Sequence, residues 1–250
     1  MTEPLFIYGK HAVFAAIKNP KRKIEEILVY QDNIELKNSI QTLLEQIKKK
    51  IRLKYVNYKK LDNILSGDIK HQGLVAKSKK LEINNYSSIF TSKKRFKSGV
   101  ILDRLTDPNN IGAIYRSAKA FGMNFIVNTN KHSVIENSAI LNSACGAFDS
   151  LQTFTTNNVS NTIKSFISHD WWTIGLDHEA KTTIDVIISK MRVRDKLIFV
   201  FGSEGKGIRR LIKKNCNFIA GIPNEPYTHS INVSNAAAIV FYEAFKMKNT

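Results

Sequence analysis

Only two cysteines, Cys145 and Cys216, occur in 250 residues. That excludes a disulfide framework and a cysteine-based metal site. The six histidines, at 11, 71, 132, 169, 178 and 229, show no paired metal spacing. No apolar run is long enough to span a bilayer, and Met1-Thr2-Glu3-Pro4 has neither the charged start nor the apolar stretch of a signal peptide. The expectation is a reduced, cytoplasmic protein without metal or membrane partner. Acidic residues are scarce as well: 21 Asp and Glu face 38 Lys and Arg, a formal charge of +17. Residues 1–98 hold 21 of the basic residues against nine acids, and residues 99–250 hold 17 against 12. A basic excess of this size is the electrostatic footprint of nucleic-acid binding. Lysine outnumbers arginine 29 to 9, a compositional bias that explains the kind of base but not the shortage of acids.

What is present reads as α/β. With 43% hydrophobic residues the chain can bury a core, in one large or two modest domains. Residues 10–18 have a short helical pattern and 24–30 a strand pattern. Leu36, Ile40, Leu43, Leu44 and Ile47 form one helical stripe. Ile51, Leu53 and Tyr55 alternate with Arg52 and Lys54, as in a half-exposed strand. Gly73-Leu74-Val75-Ala76 reads as a closing strand. Lys48, Lys49, Lys50, Arg52, Lys54, Lys59 and Lys60 are expected to share a basic surface. Patterning then decays, which places a small N-terminal α/β domain at 1–78, a basic linker at 79–96 and a second α/β domain at 97–250.

The second domain opens on the strand Val100-Ile101-Leu102-Asp103. Asp107 or Asn109 then caps a helix with Pro108 in its first turn. Ala113, Ser117, Ala118 and Phe121 are expected to face the sheet, with Asn110 and Arg116 at the ligand edge. Leu197–Phe201 is a buried-strand pattern running straight into Gly202-Ser203-Glu204-Gly205-Lys206-Gly207. That loop matches neither the dinucleotide fingerprint nor the phosphate loop. Glu204 would repel phosphate and suit a cationic ligand, or one with hydroxyls and amines. A second short strand at 218–222 ends in Pro223, and an almost wholly apolar helix follows from Val233. In open α/β sheets ligands sit at the carboxyl ends of such strands.

Asn110-x-Gly112-x-x-x-Arg116 resembles the first motif of the SpoU-type ribose 2′-O-methyltransferases of the SPOUT class. Residues 201–207 resemble the second motif. Ile222-Pro223 with Ser230-Ile231-Asn232-Val233-Ser234-x-Ala236 resembles the third. Ser143-Ala144-Cys145-Gly146-Ala147 is similar to the family's small-residue segment between them. Tyr8-Gly9-Lys10-His11-Ala12-Val13 and His71-Gln72-Gly73 resemble the N-terminal RNA-binding domain of the bacterial large-subunit rRNA guanosine-2′-O-methyltransferases. The resemblance implies a trefoil knot in the second domain, S-adenosylmethionine as methyl donor, a homodimer, and RNA as substrate. It implies donor binding by the loops at Gly202, Ile222, Ser230, Ile231 and Asn232. It also implies a catalytic set of Arg116, Asn110, Glu204, Ser230 and Asn232, with Arg116 activating and positioning the ribose. The implied reaction is methylation of a 2′-hydroxyl, on a guanosine of large-subunit rRNA. Transfer RNA as substrate, or a non-catalytic RNA-binding assembly factor, are the alternatives. One departure stands out: Asn224–His229 has no glycine where the family carries one.

Overall fold

The computed structural model describes residues 4–65, 69–130, 135–205, 207–225 and 230–249. Contacts divide the chain into two units: Met1–Glu82 with Glu136–Ser150, and Ile83–Ile135 with Leu151–Thr250.

In the first unit the elements are β1 (Leu5–Tyr8), α1 (Lys10–Lys18), β2 (Ile24–Tyr30), α2 (Ile34–Gln46), β3 (Arg52–Val56), α3 (Tyr58–Leu65) and β4 (Leu74–Ser78). They build a mixed four-stranded sheet of order β1-β4-β2-β3. The expected helical stripe is real: Leu36, Ile40, Leu43 and Leu44 are buried along α2, whose N-terminus Asn33 caps by accepting the Leu36 N–H at 2.9 Å. The strand read as closing the unit, β4, is its last in chain order and lies between antiparallel β1 and β2 in the sheet. One expectation needs correcting. On β3, an edge strand paired only with β2, Tyr55 is 44% exposed, with Lys37 Nζ 4.8 Å from its ring centre. Nor do the lysines form one open surface. Lys49 Nζ donates to the carbonyls of Ile17 and Asn19 at 2.8 Å, and burial lowers its pKa below the ordinary lysine value. Lys54 pairs with Glu26 at 2.5 Å.

The first unit also holds α6 (Ser138–Ser143) and α7 (Ala147–Ser150), although they lie far along the chain. Two features seat them. Gly146 has φ +84°, and a Cβ there would stand 2.6 Å from that of Ala15 and 2.7 Å from the His11 carbonyl oxygen. Only glycine tolerates both the backbone and the contact. The small-residue segment at 143–147 therefore serves a close approach to α1. The second feature is Arg22, whose side chain is fully buried. It donates through Nε and Nη2 to Asp149 at 2.8 and 3.0 Å, and Nη1 binds Glu136. Asn19 adds a bond to Asp149 at 2.9 Å, and the Leu81 N–H one to Glu136 at 2.8 Å.

The second unit contains α4 (Ser88–Thr91), β5 (Ser98–Leu102), α5 (Pro108–Ala120), β6 (Phe125–Thr129), β7 (Gln152–Thr156), α8 (Val159–Ile167), β8 (Trp171–Leu176), α9 (Ile184–Ser189), β9 (Lys196–Phe201), α10 (Arg210–Asn215), β10 (Phe218–Ala220) and α11 (Val233–Asn249). Its strands form one six-stranded parallel sheet of order β10-β8-β9-β5-β6-β7. Parallel strands buried on both faces need continuous apolar runs, as Val100–Leu102 and Leu197–Phe201 supply. Residues 84–96 are not a free linker. Asn84 accepts the Thr155 N–H at 3.0 Å, and Ile89, Tyr86, Phe90 and Phe96 pack into the core around Phe125 and Phe166. Aromatic and aliphatic residues among the lysines carry this docking, which the charge run obscured. Among the described residues no helix is long and apolar enough to cross a membrane, and no His, Cys, Asp and Glu cluster suits a metal.

A buried cation facing two buried carboxylates cannot be removed cheaply. Arg22→Leu should lower stability by about 3–5 kcal/mol, read by urea unfolding. A loss below about 1 kcal/mol, the level of an exposed ion pair, would show that the cluster contributes little.

Candidate functional site

The carboxyl ends of β8, β9 and β10 open onto one cavity of about 230 Å³. β9 delivers Phe201, Gly202 and Glu204. β10 delivers Ala220 and leads into Ile222 and Asn224. The start of α11 closes it with Ser230, Ile231, Asn232 and Ala236. Every residue singled out for donor binding thus lines the same space, as do Glu204, Ser230 and Asn232 of the catalytic set. Pro226, Tyr227, Thr228, His229 and Lys206 lie outside the described residues, so the atypical stretch from Asn224 is seen only in part.

The glycine loop is shaped by one close approach. A Cβ on Gly202 would fall 2.0 Å from the Gly207 carbonyl oxygen and 2.4 Å from the Ile208 nitrogen. Gly207 then returns its N–H to the Ser203 carbonyl at 2.9 Å. Gly205 and Gly207 take φ of +80° and +62°. The loop is a tight backbone ring set against its own strand end.

The cavity walls are mixed. Leu176, Ile222, Ile231 and Ala236 are apolar, whereas Glu204 and Asp177 bring carboxylates. Asp177 follows β8, is 8% exposed, pairs with Lys213, and accepts the Glu179 N–H at 3.0 Å. The motifs did not include Asp177 or His178. Their signal was present in a strand pattern, Trp171–Leu176, ending at once in Asp-His.

The helix that carries Asn110 and Arg116 starts as expected: Asp107 accepts the Asn109 N–H at 3.0 Å and Pro108 occupies the first turn. Asn110 Nδ2 donates to Glu204 Oε1 at 3.3 Å, joining the first motif to the second. Arg116 differs from expectation. It is exposed, six residues further along α5, about 9 Å up the helix axis, and is not among the residues lining the cavity. The buried side of α5 is Ile111, Ile114, Tyr115 and Ala118. Phe121 instead meets Tyr242 and Phe245 of α11, with ring centres 5.7 and 6.1 Å apart. Asn232 is also partly committed, because its Oδ1 accepts the Ser234 N–H at 2.8 Å and the Ser234 hydroxyl at 2.7 Å, capping α11. Its amide N–H groups are the donors it can turn to a ligand. Neither cysteine lines this cavity. Burial pushes the Cys216 thiol up to about 12, which keeps it protonated and unreactive.

Beside the cavity, Arg209 grips the buried Asp103 with two bonds of 2.9 Å, tying the end of β5 to the start of α10.

An open parallel α/β sheet with a mixed, acidic-walled cavity at its carboxyl edge is a ligand-binding α/β scaffold. The family is settled by comparison. Residues 97–242 match the model of the SpoU rRNA methylase family, and residues 6–83 match that of the RNA 2′-O ribose methyltransferase substrate-binding domain. The chain belongs to the SpoU rRNA methylase family and is an RNA methyltransferase. It is 31% identical over 246 residues to the 23S rRNA (guanosine-2′-O-)-methyltransferase RlmB of Coxiella burnetii, covering 97% of this chain and 95% of that one. It is 30% identical to an uncharacterized tRNA/rRNA methyltransferase of Borreliella burgdorferi, covering 98% of each. The fold is similar to the crystal structure of the SpoU methyltransferase AviRb from Streptomyces viridochromogenes with AdoMet. That similarity has TM-score 0.78 at 18% identity, and covers 98% of this chain and 91% of that one.

The glycine loop yields a test. In Gly202→Ala the added carbon meets backbone and cannot rotate away, so the Gly207 amide should lose its hydrogen-exchange protection. Gly205→Ala, with open space around it, should cost about 1–2 kcal/mol of backbone strain yet keep that protection. Equal protection in both variants would contradict the packing described.

Proposed function

We propose that this enzyme transfers a methyl group from S-adenosylmethionine to the 2′-hydroxyl of a guanosine ribose in large-subunit rRNA. One observation carries the reading: Gly202, Ile222, Ser230, Ile231 and Asn232, far apart in the chain, line one cavity at the carboxyl edge of the sheet. The cavity's chemistry fits the donor. Apolar walls suit an adenine ring, and the Glu204 carboxylate suits a sulfonium or an ammonium group. When bound, S-adenosylmethionine supplies an electrophilic methyl for in-line displacement.

The rest of the chemistry falls to side chains. A ribose hydroxyl is a weak nucleophile until its proton leaves, and the developing oxyanion must be stabilised in place. Arg116 is assigned that task. Its planar guanidinium presents several donors in one fork, so it is read as holding the ribose oxygen and an adjacent phosphate together. Asn110 and Glu204 hold the α5 start against the glycine loop. Ser230 and the amide of Asn232 orient the ribose. RNA rather than DNA follows from the 2′-hydroxyl. Acting on RNA, the protein is assigned to the cytoplasm.

Arg116 stands outside the cavity of its own chain, which supports a homodimer. Ile239, Tyr242 and Phe245 on α11 are 38%, 48% and 39% exposed. A second copy laid over α5 and α11 would cover them and meet Arg116. The sheet order, with β9 inserted between β8 and β5, supports the trefoil knot implied for residues 97–250. Residues 1–78 keep their role as the RNA-binding part, within a unit that also takes in 136–150. Since relatives carry both tRNA and rRNA in their names, transfer RNA is the second reading. Mapping ribose methylation in total RNA from a strain lacking the gene separates the two. Loss of a methyl from transfer RNA alone would overturn the rRNA assignment.

Arg116→Ala should lower turnover by about a hundredfold or more while donor affinity by calorimetry stays near wild type. Arg116→Lys should be nearly as poor, because lysine keeps the charge but not the planar fork. A lysine variant whose rate recovers as pH rises would instead identify residue 116 as the base. Light scattering at micromolar concentration should report twice the chain mass, and Tyr242→Glu should shift it to one.

A further inference from the structure

A second cavity, of about 260 Å³, lies along the same carboxyl edge, at the ends of β5, β6 and β7. Nothing in the methyl-transfer reading uses it. Each side-chain oxygen of its polar lining accepts a bond within the protein. Asp103 takes both bonds of Arg209. Thr129 Oγ1 accepts the Arg104 N–H at 3.2 Å. Asn157 Oδ1 accepts from Asn130 at 2.9 Å, and Asn158 Oδ1 accepts the Asn161 N–H at 3.1 Å. Ser160 Oγ accepts from Asn215. What the lining has left to offer is donors: the Arg104 guanidinium, the outer edge of Arg209, two carboxamide NH₂ groups and two hydroxyls. A lining with its oxygens occupied and its N–H groups left to donate suits an anion with several oxygens.

Arg104 carries a second signal. It is exposed and has φ +60°, a left-handed conformation that an L side chain enters only at a cost. Strain of this kind persists where surrounding structure and function hold it. It turns the chain directly after β5, so that residue 104 faces the cavity. Neighbouring strands are roughly 5 Å apart. The two cavities therefore flank the β5–β9 pair closely enough for one RNA strand to lie across both.

We propose that this cavity seats a backbone phosphate of the substrate RNA, gripped by Arg104, and so sets which ribose of the strand reaches the methyl-transfer site. This rests on the RNA methyltransferase reading above. The test uses Arg104→Gly, which removes the guanidinium and at the same time relieves the backbone, so its melting temperature should not fall. Arg104→Lys keeps the charge. The probe is deproteinised large-subunit rRNA from cells lacking the gene, bound by the full chain across a salt series without donor. Arg104→Gly should bind several-fold more weakly at low salt, with a log–log salt slope shallower by about 0.7, and Arg104→Lys should keep the wild-type slope. Donor affinity should match wild type in both. Wild-type affinity and slope in Arg104→Gly would overturn the proposal. So would protection of Arg104 by inorganic phosphate without any change in RNA binding, since the cavity would then take an adventitious ion only. Binding is scored apart from turnover, so absence of ribose methylation on that RNA counts against the functional reading alone.

Discussion

The Gly207 carbonyl oxygen lies where any side chain at residue 202 would have to put its β-carbon. That exclusion shapes the cavity's β9 side. Because residue 202 has no side chain, the backbone at Gly207 and Ile208 can fold back directly onto the end of β9, beside the ends of β8 and β10 that line the same cavity. A side chain at 202 would move the loop outward and separate the second motif from the third. The bond from Asn110 to Glu204 would be lost with it.

Charge acts in this protein in two distinct ways. On the surface the lysine excess is diffuse, long-ranged and screened by salt. Elsewhere single arginines are used as ties to buried carboxylates. Arg22 binds Asp149 and Glu136, holding α6 and α7 to the first unit, and Arg209 holds Asp103 at the ligand edge. The planar fork suits both places, since it satisfies two carboxylate oxygens at once and leaves little charge uncompensated. The consequence for dissection is practical. A cut after residue 78 would strip the buried Glu136 and Asp149 of their cation, so the first unit is not separable as a continuous N-terminal piece.

Much of the fold was legible in the chain. Parallel strands buried on both faces must be continuous apolar runs, which is why β5 and β9 could be read at their carboxyl ends to within a residue. Glycine and asparagine signals placed the loops and caps, because φ, close approach and capping act on residues one to four positions apart. The edge strand β3 and the docked stretch 84–96 were misjudged for one reason. Exposure there is set by neighbours distant in sequence, and lysine-rich composition looks the same whether the backbone beneath it is packed or free. Lys49 shows the same limit: a run of three lysines does not reveal that the middle one is spent on the carbonyls of Ile17 and Asn19.

The sequence by itself determined the α/β class, the glycine loops, the caps, the basic character and the motif residues that mark the family. These are local matters of backbone freedom, periodicity and residue type. The tertiary structure alone decided which of those residues meet. It placed Gly202, Ile222 and Ser230 around one cavity, brought in Asp177, and left Arg116 outside. It also carried residues 136–150 into the first unit and gathered the donors around Arg104 into a second cavity. The reason is physical. Contacts between residues a hundred positions apart are fixed by strand order and by the packing of helices on the sheet, and neither quantity is written in any single stretch of chain.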